Sequence, residues 1–330
     1  MILRFDEFCD KNDRMFEVKK DDDFDYINET LSVSMDVNDA TDEVVSFIES
    51  YTGEKITIEQ GDICSIVKFR KNPVINVFGC DCEFDLKIYE LQNDVNLKSF
   101  VENNDFGARI IVNHNVIDGN VSLNFVIRGE IIMQNKKIVQ KSRTILTHEL
   151  RHAYEQTMIY NGLPEFDYRR ILELSRKWRE IYMKCVNYIK LSDSYKIIKM
   201  LDGPEFYKIL YVIYCCDVSE VSALTQEAYE DCKDCVSKDE VKTKMKNTDL
   251  HMILKLFDSI LHMFEDDDIQ KTYDRNKKKY YFDEFPTIHN LLKLIMKRYM
   301  KIRTNYGKVL ALICGRFDEN EGLNLIDVKY

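Results

Sequence analysis

The rhythm of apolar and polar positions changes along this chain. Short runs rich in β-branched residues fill the first part: "KITIEQ" at 55–60, "CSIVKFR" at 64–70 and "VINVFG" at 74–79. Their brevity and their Gly, Asn and Asp boundaries predict short strands. Before them, "TLSVSMDV" (30–37) alternates like a strand. "DATDEVVSFIESYTG" has helical period, with Asp39 as its cap and Gly53 as its stop. Next, "ARIIVNHNVIDGNVSLNFVIRGEIIM" (Ala108–Met133) places β-branched and aromatic residues on both sides of Asp118-Gly119, a strong hairpin signal. In "TILTHELRHAYEQ" (Thr144–Gln156) the period becomes helical, and Leu146, Leu150, Ala153 and Thr157 fall on one stripe. Asn161-Gly162 and Pro164 end that helix.

From Pro164 onward the period is helical almost throughout, in "YRRILELSRKWREIYMKCVNYIKL", "PEFYKILYVIYCC", "SEVSALTQEAYEDC", "LHMILKLFDSILHMF" and "IHNLLKLIMKRYMKIRTNYGKVLALIC". The expected class is α+β: an antiparallel or mixed sheet, a helix set behind a hairpin, and a mostly helical C-terminal part. The pattern divides the chain into 1–105, 106–235 and 236–330. Only 11 Gly and 4 Pro occur, so no linker or low-complexity tract marks these divisions.

Composition narrows the function. A 45% hydrophobic and 32% charged balance is that of a folded globular protein, and the formal charge of -10 argues against nucleic-acid binding, for want of a basic excess to neutralise phosphates. The basic run "RNKKKYY" (Arg275–Tyr281) follows the acidic run "EDDD" (Glu265–Asp268), and together they read as a solvated loop. Acids stand within the first residues, unlike a secretory or transit leader, and the apolar run "ILYVIYCC" (Ile209–Cys216) is too short to span a bilayer. The expected location is cytoplasmic, or within a virion for a phage-encoded chain, with no membrane partner. Free thiols are then expected for the 10 cysteines. Cys80 with Cys82, and Cys232 with Cys235, have spacing usable for a four-thiolate zinc site but lack the turn-forming glycines of a knuckle.

Two of the 6 histidines, His148 and His152, lie four residues apart with Glu149 between them. On a helix they share a face distinct from the apolar stripe, so two imidazoles can reach one metal ion while Glu149 leans over water held there. Neutral imidazole binds Zn²⁺ without adding charge and leaves it acidic enough to bring bound water to a pKa of about 7. Glu149 is then placed to act as general base. Chance yields this pattern in roughly one chain in a hundred of such composition, and seldom in a helical frame with an apolar seam. His114, His251, His262 and His289 each read as structural, although one of them, or Tyr229, is a candidate to stabilise an oxyanion. Phe206, Ile209, Leu210 and Ile213 form a helical stripe that reads as core.

"LTHELRHAYEQ" resembles the active-site helix of the zincin metallopeptidases, which carry HExxH behind an antiparallel edge strand. The resemblance spans about Ala108 to Glu230 and implies a zincin-like core. In the gluzincin branch the third ligand is a glutamate on a second helix, often followed by Ala at the third position. "EVSA" at 220–223 fits that setting, so the resemblance implies Glu220 as third ligand. The metzincin branch needs a histidine where this chain has Met158. Two other readings stay open: Asp217 as N-cap with Glu220 serving the helix end, and Glu227 as the ligand. The expected function is zinc-dependent hydrolysis of peptide bonds in a peptide or protein substrate, by His148, His152, Glu220 and the base Glu149. The edge strand would pair with the extended substrate. The alternative is a non-catalytic structural or virion-associated protein retaining the fold; the proline-poor, Asn-, Lys- and Ile-rich composition suits a phage or low-GC bacterial origin. An effector peptidase that needs a partner is a further possibility.

Overall fold

The computed structural model describes residues 33–104, 106–117, 120–161, 217–263 and 288–318, with positions 212, 215 and 271. Helix α1 (Met35–Ser50) opens the described chain. Four strands follow: β1 (Lys55–Gln60), β2 (Cys64–Phe69), β3 (Val74–Val77) and β4 (Cys80–Leu91). A short helix α2 (Leu97–Glu102) leads to β5 (Ala108–Ile117), β6 (Asn120–Gln134) and the two-residue β7 (Lys137–Ile138). Helix α3 (Gln140–Asn161) carries the histidines. Then come α4 (Val218–Cys232), α5 (Lys238–Met245), α6 (Asp249–Met263) and α7 (Ile288–Asp318).

The strands form one mixed seven-stranded sheet in the order β1-β2-β4-β6-β5, with β3 on β4 and β7 on β6. β4 and β6 are parallel and the remaining pairs antiparallel. The α+β class is therefore observed, with helices making up the described C-terminal part. The sheet takes strands from both sides of residue 105, because β4 pairs with β6 along its length. The predicted strands pair as expected: Ile117 is opposite Asn120 in an antiparallel ladder, and β6 inserts between β4 and β5, which leaves β5 at the sheet edge. Gly129 lies opposite Ala108 in that pairing, where an added Cβ would come within 2.5 Å of Ala108 Cα. Close approach of the two strands thus depends on a residue without a side chain.

Two elements depart from expectation. Helix α1 begins at Met35 with Ser34 as its N-cap, so Met35–Val37 are helical and Asp39 lies inside the helix. Burial of Val37, Val44, Val45 and Ile48 under the sheet explains the earlier start. Strand β4 is the longest element missed by the sequence reading: Cys82, Phe84, Leu86 and Ile88 are fully buried, while Glu83, Asp85 and Lys87 alternate with them. The runs at 165–188 and 204–216, the Phe206–Ile213 stripe and the basic run at 275–281 lie outside the described residues, apart from positions 212 and 215.

One apolar cluster joins the sheet's inner face to α1 and to Leu146, Leu150 and Ala153 of α3. A second joins α4, α5, α6 and α7. Helix α3 lies between sheet and α4, so its second face is buried as well, although polar. Thr144 bonds Asp231, Arg143 bonds Glu230, and His152 and Glu155 both meet Ser219. Rising numbers on α3 meet falling numbers on α4, so the helices are antiparallel and are held by paired polar groups along the seam. Among the described residues, no helix is long and apolar enough to cross a membrane.

Candidate metal centre

Asp217 caps α4, accepting a hydrogen bond from the Ser219 backbone N–H at 3.0 Å. That helix start lies against the middle of α3. The His148 and His152 Nε2 atoms stand 3.3 Å apart, and the Glu220 carboxylate faces both, with Oε2 at 3.5 Å from His148 Nε2 and Oε1 at 3.8 Å from His152 Nε2. Among the described residues, this is the one cluster of His, Cys, Asp and Glu side chains that could hold a metal ion. Its dimensions fit: ligand atoms about 2.0–2.1 Å from a tetrahedral Zn²⁺ lie about 3.3–3.5 Å from one another. The imidazole pair already has that separation, and the Glu220 carboxylate meets one imidazole through each of its oxygens, at 3.5 and 3.8 Å.

Each imidazole is held from behind by its other nitrogen. His148 Nδ1 meets Glu227 Oε2 at 3.2 Å, and Glu227 Oε1 faces Lys141 Nζ at 3.9 Å. Lys141 also pairs with Asp249 of α6 at 3.5 Å. His152 Nδ1 meets Ser219 Oγ at 2.8 Å, and Ser219 donates to Glu155 Oε2 at 2.6 Å. Glu227, the rival ligand in sequence, therefore lies on the far side of His148 from the paired Nε2 atoms. Outer-shell groups of this kind orient metal-binding imidazoles and raise their basicity.

The electrostatics favour a cation. Burial pushes the His148 imidazole down, but hydrogen bonds and charge from Glu220 and Glu227 outweigh it and hold its pKa well above 6.5. Burial raises Glu227, against the lowering contact with His148. Glu149 is buried next to His148; burial pushes its carboxyl up to about 7, although nearby His148 and a hydrogen bond from the Ile110 backbone of β5 pull the other way. Buried carboxyls raised in this way, beside charged groups, are concentrated at functional sites.

Tyr229, His251 and His262 are placed elsewhere. Tyr229 is buried two turns further along α4, its hydroxyl bonded by Arg316 and directed at Met35 Sδ, so it does not face the cluster. His251 packs its ring against Tyr306, and His262 is exposed and faces Asp258. His114 lies in β5 and His289 in α7. Cys82 is buried under the sheet, whereas Cys232 and Cys235 belong to the helical cluster, so the four-thiolate site does not assemble. The sequence reading missed Ser219, Glu155 and Lys141 as partners of the site, since no spacing signal links them to the histidines. Comparison of the chain with models of protein families, with curated proteins and with solved structures finds no match.

Proposed function

We propose that the protein is a zinc-dependent metallopeptidase of the gluzincin type, with His148, His152 and Glu220 as ligands and Glu149 as general base. The observation that carries this reading is the convergence of two Nε2 atoms 3.3 Å apart on one carboxylate from a second helix. Imidazoles with a carboxylate are the donor set of catalytic zinc sites, which keep a further position open. A bound Zn²⁺ would polarise a substrate carbonyl and acidify water.

The chain's own residues supply the remainder. Glu149, held near neutrality, takes a proton from water at its carboxylate and returns it to the leaving amine. Strand β5 adjoins this carboxylate through Ile110, and its outer edge carries backbone donors and acceptors that an extended peptide can pair with. Placement of the base against an edge strand is what favours peptide over small-molecule substrates. The test has two parts: zinc per chain by native mass spectrometry, and cleavage of a peptide library by wild type and by Glu149→Gln. One zinc per chain with cleavage that Glu149→Gln abolishes supports the proposal. A protein that stays metal-free in added zinc at neutral pH refutes it.

A further inference from the structure

We infer that Glu155 and Ser219 form a directional hydrogen-bond relay that fixes the tautomer of His152, keeping the lone pair of its Nε2 turned toward the cluster; this rests on the metal-site reading above. The two histidines are held differently. His148 Nδ1 faces a carboxylate oxygen directly, whereas His152 Nδ1 faces a hydroxyl, Ser219 Oγ, at 2.8 Å. A hydroxyl by itself leaves the tautomer undecided, because it can donate to a bare nitrogen or accept from a protonated one. Here its single proton is already committed, since Ser219 Oγ lies 2.6 Å from Glu155 Oε2.

Ser219 Oγ–H donates to Glu155 Oε2, so the proton between those oxygens is that of the serine. Were it turned to His152 instead, two oxygens would face each other at that distance with no hydrogen between them. Ser219 must therefore accept from His152 Nδ1–H. A neutral imidazole has one N–H, and Nε2 is left with its lone pair directed at His148 and Glu220. Glu155 is kept in its accepting role from its other oxygen, to which Arg151 Nε donates at 3.1 Å and Ser222 Oγ also donates. Arg151, His152, Glu155, Ser219 and Ser222 are all buried, so water has little access to replace a lost partner. Residues 152 and 155 are one turn apart on α3, and Ser219 immediately precedes the candidate ligand Glu220 on α4, so the relay also ties the two helices together at the site.

Glu155→Gln turns this logic round. The amide can present its oxygen to Arg151 and its NH₂ group to Ser219; the hydroxyl is then freed to donate to His152 Nδ1, and the imidazole shifts to the Nε2–H form. Zinc affinity by chelator competition is expected to fall about tenfold or more in Glu155→Gln, and by a similar factor in Ser219→Ala, the range seen when outer-shell partners are lost. Ser219→Thr, which keeps the hydroxyl, should bind like wild type. Because Glu155 acts through Ser219, the double variant should be no weaker than Ser219→Ala alone, a coupling that two independent structural losses would not show. Nitrogen NMR of the zinc-free protein should report Nδ1–H at His152 in wild type and Nε2–H in Glu155→Gln. Additive losses, Ser219→Ala binding as wild type, or an unchanged tautomer would overturn the relay. Wild type that binds no zinc overturns both the relay and the metal reading. Wild type that binds zinc but cleaves nothing removes the peptidase reading alone, and the cycle still decides the relay.

Discussion

Replacing Glu220 and Glu227 in turn by glutamine separates a ligand from an orienting group. Both changes keep shape and an acceptor oxygen, and both remove one negative charge. Glu220 faces both Nε2 atoms, within 3.5 and 3.8 Å, where a cation would be bonded. At an effective dielectric constant of about 20, two unit charges about 4 Å apart interact by about 4 kcal/mol, and a divalent ion at bonding distance by more. Rehydration of the released ion offsets much of this, leaving an expected loss of about 3–4 kcal/mol for Glu220→Gln. That is a weakening of roughly a hundred- to a thousandfold, at about 1.4 kcal/mol per factor of ten. Of the three cluster residues Glu227 meets His148, at its Nδ1, and a glutamine can still accept there, so Glu227→Gln should cost about tenfold. Chelator competition at fixed pH measures both. Thermal denaturation of the metal-free variants is the control: Glu220→Gln removes a carboxylate whose hydrogen bond and charge stabilise the protonated His148, so its metal-free Tm should fall modestly while its zinc affinity falls far more. A larger affinity loss at Glu227 would reverse the ligand assignment. A drop in Tm at Glu220 with unchanged affinity would return it to a helix-end role.

Glu149→Gln should leave zinc affinity within about threefold of wild type while abolishing peptide cleavage, because the amide keeps volume but cannot take a proton; fluorogenic peptides and competition titration check the two arms. Stability of the metal-free protein should fall as pH rises from about 4.5 through about 7. Its sign follows from the raised folded-state values of His148, Glu149 and Glu227: the folded state holds protons that the unfolded chain has released, so the stabilisation is full at the acid end of that window and is lost toward neutrality and, for His148, above it. Excess zinc should reverse the slope, since protons and metal compete for the imidazoles, and Tm against pH with and without zinc reads this. Leu150→Ala should cost about 2–5 kcal/mol in urea denaturation, because this fully buried side chain joins α3 to the sheet. Gly129→Ala should destabilise the β5–β6 pairing, with faster hydrogen exchange along β5 as its readout.

The features legible in the sequence are those fixed by local period. Two histidines at helical spacing share a face whatever surrounds them, the Asp-Gly signal announces the antiparallel pairing of β5 with β6, and the Leu146, Leu150, Ala153 and Thr157 stripe declares which side of α3 meets the core. Strand β4 is equally periodic, with Cys82, Phe84, Leu86 and Ile88 alternating with charges, yet it lies outside the runs read as strands. The start of α1 was hidden because Met35–Val37 alternates acceptably as a strand, and only burial against the sheet selects the helix. Tertiary structure alone decided the rest of the site. Glu220 and Glu227 lie seven residues apart on one helix and share a face, so no local rule can choose between them. At a rise of about 1.5 Å per residue they are about 10 Å apart along α4, and the antiparallel docking of α4 on α3 sets one carboxylate before the Nε2 atoms and the other behind Nδ1 of His148. The assignment of each ring nitrogen, through Glu227 on one side and Ser219 with Glu155 on the other, likewise exists only once the two helices meet, because it is made of contacts between residues that the chain itself holds far apart.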